Sequence, residues 1–301
     1  MPSNRFSRRQ FLTRVTGQPQ ISTAPEYTPN EHFYRQQAFG IPALNVSQWC
    51  ISIGAASSLT GMARSPMILD YQDMLALTSV ERGGVIACAG GGILIGGALW
   101  RGVALRDLLD EVAIQPQARY AHFFAADGYV TSLALEQLDD ALLAYTMNGE
   151  TLPQEHGFPA RLIVPGLSGY KMPKWIQRIE FADTPLVGFW ESRGWSQAGT
   201  APITAAILSP RHHEDISDEI TFSGIAFAGT RAVMAVELSI DGGDWMPLPA
   251  SNLLTPETPS MWTRWQITWT PPNPGEYSVS VRASNDLAAQ SNPHSITIRS
   301  V

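Results

Sequence analysis

A mixed α+β half followed by an all-β half is the fold class this sequence predicts, on three observations. Before residue 200, short apolar runs and stretches of helical periodicity are mixed without the regular alternation of a βαβ chain. The stretch Ser196-Gln197-Ala198-Gly199-Thr200-Ala201-Pro202 has the composition of a linker. Beyond it the hydrophobic period drops to two for the remainder of the chain, with turn residues between the runs.

The elements follow in order. Residues 1–27 are polar, carry Pro19 and Pro25, and read as a flexible arm. Within it Ser7-Arg8-Arg9-Gln10-Phe11-Leu12 resembles a twin-arginine export signal. The apolar stretch such a signal needs is missing from Val15-Thr16-Gly17-Gln18-Pro19-Gln20. A short basic lead-in is therefore the preferred reading, and the cytoplasm is favoured over the periplasm with the compartment left open. Residues 49–53 and 84–88 read as strands. Leu105, Leu108, Leu109 and Val112 recur at helical spacing and predict a helix over 104–113. Leu135, Leu138 and Leu142 predict a second over 134–144. Residues 160–164 form a strand stopped by Pro165-Gly166, and 175–181 another.

After the linker, Val236-Leu238-Ile240, Trp265-Ile267-Trp269, Tyr277-Val279-Val281 and Ile296-Ile298 alternate. Asp241-Gly242-Gly243-Asp244 is hairpin chemistry, and Pro271-Pro272-Asn273-Pro274-Gly275 is a second sharp turn. An immunoglobulin-like sandwich without the cysteine pair is expected. The run Trp262-Thr263-Arg264-Trp265 is a candidate exposed contact between copies, although core packing accounts for Trp265 as well. The expected organisation is an arm (1–27), a catalytic domain (28–200) and a sandwich (201–301).

The 301 residues, 44% hydrophobic and 16% charged, suit a soluble protein with a substantial core. A net charge of −7 argues against nucleic acid and anionic membrane as partners. No stretch approaches the roughly 18 apolar residues of a membrane span. Cys50 and Cys88 cannot build a disulfide framework and are expected to be reduced.

Cys88 ends an apolar run just before Gly90, Gly91, Gly92 and Gly96. The spacing of Gly90, Gly92 and Gly96 is one residue too long for a dinucleotide fingerprint, which is rejected. A buried cysteine acting as a small hydrophobe is the ordinary reading. The adjacent glycines instead suggest that the backbone approaches something bulky. Pairing of Cys88 with His122 or His156 as a nucleophile has no signature to support it. His212-His213 beside Glu214 and Asp215 is read as a solvated loop rather than a metal site.

A second cluster threads His156, Arg161, Lys171, Lys174 and Arg178 through Gly157, Pro159, Pro165, Gly166, Gly169 and Pro173. It is either a set of surface cations or a wrapped loop for an anionic cofactor. Composition does not choose between them.

Several stretches of residues 28–180 resemble the sulfite oxidase family of molybdopterin enzymes. They are TPNEHFYRQQ (28–37), IACAG and LWRGVALRDLL (within 86–109), AADGYVTSLALE (125–136), LLAYTMNGETLPQEHGFPARLIVPG (142–166) and GYKMPKWIQRIE (169–180). The resemblance extends through most of 28–195, and residues 203–301 resemble the dimerisation domain that follows in that family. It implies Mo-molybdopterin as cofactor, with Cys88 as the protein thiolate on molybdenum, a pairing that suits a soft metal. It places Phe33, Tyr34 and Arg35 beside cofactor and substrate, with Arg35 drawing an oxyanion towards the metal. Asp127, His156, Arg161, Met172, Pro173 and Lys174 match positions that hold the pterin and its phosphate. The implied chemistry is oxygen-atom transfer with electrons exchanged with an external carrier, in a homodimer.

Three departures bear on the substrate. Ala89-Gly90-Gly91-Gly92 replaces the continuation of the cysteine motif, Gln37 replaces a histidine, and Trp195 falls where the family has a tyrosine. A pocket so altered captures a small dianion less well; the substrate is expected to be a small-molecule oxyanion or, as the three changes suggest, a larger and less charged S- or N-oxide that the enzyme reduces. The rival readings are a non-catalytic binding module that has kept the fold, and a cysteine hydrolase.

Overall fold

The computed structural model describes residues 26–88, 95–217, 219–258 and 260–301. Residues 1–25 of the arm, with its twin-arginine-like stretch, and Gly90–Gly92 lie outside them. Two compact units emerge, one of Tyr27–Ala201 and one built on Pro202–Val301.

The first unit holds two sheets. Strands β1 (Cys50–Ile53), β2 (Met67–Asp70), β3 (Ser79–Ala87), β4 (Ile95–Ala104), β5 (Tyr120–Ala125) and β6 (Val130–Ala134) come first. They are followed by β7 (Leu142–Met147), β8 (Glu150–Thr151), β9 (Arg161–Ile163) and β10 (Ile176–Ala182). One sheet has the order β2-β1-β10-β5-β6, with β1 and β10 parallel. The other runs β3-β4-β7-β8, with β9 added against β7. Nine residue pairs zip β3 to β4, from Ser79↔Val103 to Ala87↔Ile95.

The helix predicted at 104–113 is present as Leu105–Val112, with Leu105, Leu108, Leu109 and Val112 buried. A second α-helix, Tyr71–Ala76, starts on a reciprocal cap: Asp73 N donates to Asp70 Oδ1 at 2.8 Å and Asp70 N to Asp73 Oδ2 at 3.0 Å. The helix expected over 134–144 is replaced by a single 3₁₀ turn, Leu135–Gln137, followed by strand β7. Its three leucines keep helical spacing but serve different elements. Leu142 opens a strand buried on both faces between β4 and β9, where a continuous apolar run is required. The unit is therefore mostly β, with few helices, rather than an even mixture. Among the described residues no helix is long and apolar enough to cross a membrane.

The second unit contains β11 (Thr204–Ser209), β12 (Glu214–Ile216), β13 (Ile220–Phe227), β14 (Val233–Ile240) and β15 (Met246–Pro247). After these come β16 (Leu253–Leu254), β17 (Thr263–Trp269), β18 (Gly275–Asn285) and β19 (His294–Ser300). Sheets β11-β13-β17-β16 and β12-β19-β18-β14-β15 share one core, with Phe222, Trp265 and Trp269 facing the same interior as Leu238, Val279 and Ile298. Asp241 and Gly242, at φ 52° and 67°, turn the β14–β15 hairpin. Trp262 and Trp265 are 5% and 0% exposed, so the stripe read as a contact between copies is packed inside its own chain. Of the two adjacent histidines, His212 accepts the Thr297 amide at 2.8 Å, and Glu214 and Asp215 open strand β12.

Candidate active site

Cys88 follows directly on β3. Ala87 is bridged in parallel to Ser168, which ties the end of β3 to the turn Gly169–Lys171. Alternation along the strand puts Ile86 and Cys88 on one face, and both line one open cavity. Both cysteines are free thiols, Cys50 exposed and Cys88 partly so.

Phe33 and Tyr34 enter from the segment before β1. That segment is pinned by Thr28 N to Gly97 O at 2.7 Å and by Asn148, whose amide donates to Thr28 O and Asn30 Oδ1, both at 2.9 Å. Phe33 stacks on Tyr34 at 5.6 Å and meets Trp100 and His156 edge-on. A Cβ on Gly96 would lie 2.7 Å from the Phe33 ring, so β4 needs glycine at that point. Burial, with Cys88 as the next largest influence, raises the Tyr34 phenol well above its ordinary range, which leaves it a neutral donor.

Opposite charges do not balance here. Arg161, the first residue of β9, is 5% exposed and donates to His156 O at 2.9 Å. Its guanidinium lies 5.2 Å from the Trp100 ring centre, and its Nε has no hydrogen-bond partner. Among the described residues no carboxylate pairs with it. Burial lowers its pKa to about 10, so it remains a cation. Lys174 donates to Glu155 O at 2.8 Å and sits 4.4 Å from the Trp175 ring centre. Burial, and then the charge of Arg161, bring it down to about 7. The same two causes lower His156 to about 4, so its imidazole is neutral and gives Nε2–H to Asn30 O at 3.1 Å. Burial raises the Asp127 carboxyl, against the opposing Tyr129 amide at 3.0 Å.

The cavity thus gathers Phe33, Tyr34, Cys88, Asp127, His156, Arg161, Met172, Pro173 and Lys174, nine of the ten residues singled out in the sequence. Arg35 is not among the lining residues. Its guanidinium is 3.2 Å from Glu155 and half exposed. Gln37 and Trp195 line the cavity as well. Sequence reasoning missed Tyr129, Tyr170, Trp175 and Trp190, which share the lining. For Tyr129, Tyr170 and Trp175 the available signal was an aromatic residue beside a glycine or a cation in the same motifs; Trp190, between Phe189 and Glu191, carried none.

These aromatics form a wall. Trp195 meets Trp190 at 4.6 Å and Tyr170 edge-on at 4.9 Å. The phenols are committed to the backbone: Tyr129 donates to Tyr170 O at 2.6 Å and Tyr170 to Ser196 O at 2.7 Å. The cavity therefore combines a thiol and under-neutralised cations, suited to a soft metal and a phosphate-like anion, with flat aromatic rings.

Residues 38–190 match the family model of the oxidoreductase molybdopterin binding domain. Mitochondrial sulfite oxidase of Drosophila melanogaster is 30% identical over 291 residues, covering 79% of this chain and 49% of that protein. An uncharacterized oxidoreductase, YuiH, of Bacillus subtilis is 34% identical over 141 residues, 46% of this chain and 71% of its own length. The NADH nitrate reductase of Ulva prolifera is 27% identical, covering 88% of this chain and 38% of its own. The chain thus spans about half the length of the fly enzyme. Among solved structures, the sulfane dehydrogenase SoxCD of Paracoccus pantotrophus superposes with a TM-score of 0.76 at 23% identity, over 89% of this chain and 75% of that one. That likeness speaks for the fold.

Proposed function

Because this chain belongs to the family of oxidoreductase molybdopterin-binding domains, whose cofactor is Mo-molybdopterin, we propose that it is an oxygen-atom-transfer oxidoreductase with Cys88 as the protein ligand to molybdenum. One observation carries the reading. Arg161 is a buried cation that, among the described residues, has no carboxylate partner and an unmet Nε donor, a costly arrangement unless an anion completes it. The residues present fit the group. Arg161 and Lys174 would take its phosphate, and neutral His156, Tyr34 and Asp127 would meet the polar edge of the pterin. Phe33, Met172 and Pro173 would pack on its apolar surface. When bound, the cofactor supplies the two-electron redox couple.

The substrate reading rests on the aromatic wall. With both phenols donating to carbonyls and Lys171 neutralised by Glu191, the wall offers little to a dianion. Arg35, outside the cavity lining and with its charge shared with Glu155, adds little further attraction for a dianion. A neutral S-oxide or N-oxide fits better. The oxide would give up its oxygen, taking two electrons from an external carrier and two protons, and leave as the sulfide or amine with one water. The second unit is proposed as an immunoglobulin-like dimerisation sandwich, which light scattering after size exclusion would test.

The deciding experiment is elemental analysis of protein from a host that makes the cofactor. Near-stoichiometric molybdenum, lost in Cys88→Ser, is expected. Retention of the metal in that variant would end the ligand assignment, and rapid turnover of sulfite would end the substrate reading.

A further inference from the structure

Tyr129, Tyr170, Trp190 and Trp195 reach the cavity from three separate stretches of chain, and one ion pair lies beside all three. Lys171 follows Tyr170, Glu191 follows Trp190, and Thr131 lies just beyond Tyr129. The Lys171 and Glu191 side chains are 0% and 3% exposed, with Nζ 2.5 Å from Oε1. Nζ also donates to Ser132 O at 3.0 Å, and Thr131 Oγ1 donates to the same Glu191 oxygen at 2.8 Å. Neither charged residue lines the cavity, and neither is assigned above to the cofactor or the reacting atoms.

The pair is housed by two glycines. A Cβ on Gly199 would lie 2.3 Å from Lys171 Cγ, and one on Gly188 would lie 2.7 Å from Glu191 Oε2. That second carboxylate oxygen is buried with no hydrogen-bond partner among the described residues. Apolar residues of similar volume would hold the fold at least as well, because two desolvated charges give back little net stability. What the pair adds is direction. A short, doubly supported bond fixes the turn Gly169–Lys171 against the turn Glu191–Arg193 across β6.

We propose that the Lys171–Glu191 pair is a positioning device that sets the aromatic wall and so decides which substrates reach Cys88. The selecting role rests on the cavity being the reaction site. The positioning role does not, and the experiment separates them.

Full-length, molybdenum-loaded protein is compared as wild type, Lys171→Met, Glu191→Gln and the double variant by hydrogen exchange read on peptides. Each single variant leaves one buried charge alone, and exchange over residues 186–196 rises about tenfold while β3, β4 and β7 keep their protection. The double variant, with no lone charge, rises by less than the two singles combined. Should a single variant not accumulate, the double decides by itself: wild-type exchange over 186–196 overturns the proposal. So does an equal rise across every peptide, which is what a merely structural pair would produce.

For selection, the kcat/KM ratio of dimethyl sulfoxide to sulfite falls about tenfold in the double variant, with molybdenum content unchanged. An unaltered ratio ends the selecting role. If neither probe is turned over by the wild type, the reaction reading fails while the exchange result stands.

Discussion

Replacing Lys174 by methionine stabilises the cofactor-free chain near neutral pH, and the gain fades in alkali. Burial and the neighbouring Arg161 bring Lys174 from an ordinary 10.5 to about 7. The sign follows from linkage. Between those values the unfolded chain holds a proton that the folded chain has released, so wild-type stability rises with pH across that window. Below about 7 both states are charged and the folded one carries the full penalty. At about 1.4 kcal/mol per pH unit the drop corresponds to about 5 kcal/mol. Partial solvent access screens part of it, and methionine forfeits the bond to Glu155 O, worth about 1 kcal/mol. A net gain of about 3 kcal/mol at about pH 6 is expected, shrinking to near zero at about pH 9.5. Urea unfolding of the full-length, cofactor-free chain at the two pH values measures it, following the transition of the first unit. An equal difference at both pH values, or destabilisation at both, would refute the reasoning.

Two further outcomes follow from the same cavity. His156 is held neutral down to about 4, so the unfolded chain gains a proton before the folded one. Stability should fall as the pH drops from about 6.5 towards 4, and urea midpoints should show that slope weakened in His156→Gln. Gly96→Ala places a methyl 2.7 Å from the Phe33 ring. It should cost about 1–3 kcal/mol and lower molybdenum content by displacing that ring, and a variant with unchanged Tm and metal content would show that the ring moves freely.

How much of this was legible in the residues depends on the range of the forces involved. The helix at Leu105–Val112 was legible because its buried stripe follows one period from end to end. The leucines at 135, 138 and 142 carried the same spacing, yet pairing of β7 with β4 and β9 overrode it. That competition between local period and distant ladder is invisible along the chain. The cations of 156–174 stood out, whereas their purpose did not. Only packing shows that Arg161 lacks a carboxylate while Lys171 has one and Arg35 is drawn to Glu155. The aromatic wall was the least legible, since its four rings come from stretches up to 66 positions apart, Tyr129 to Trp195.

The nine-pair zipper of β3 and β4 restricts how genes for this chain can change length. Inserting or deleting one codon within β3 would turn every later side chain of the strand to the opposite face, carrying the sulfur of Cys88 away from the cavity while the ladder still forms. Changes of two codons would restore the facing. Lineages descending from this sequence should therefore tolerate even-numbered length changes within β3 far more readily than odd ones, a parity rule that a deletion library scored for bound metal would expose.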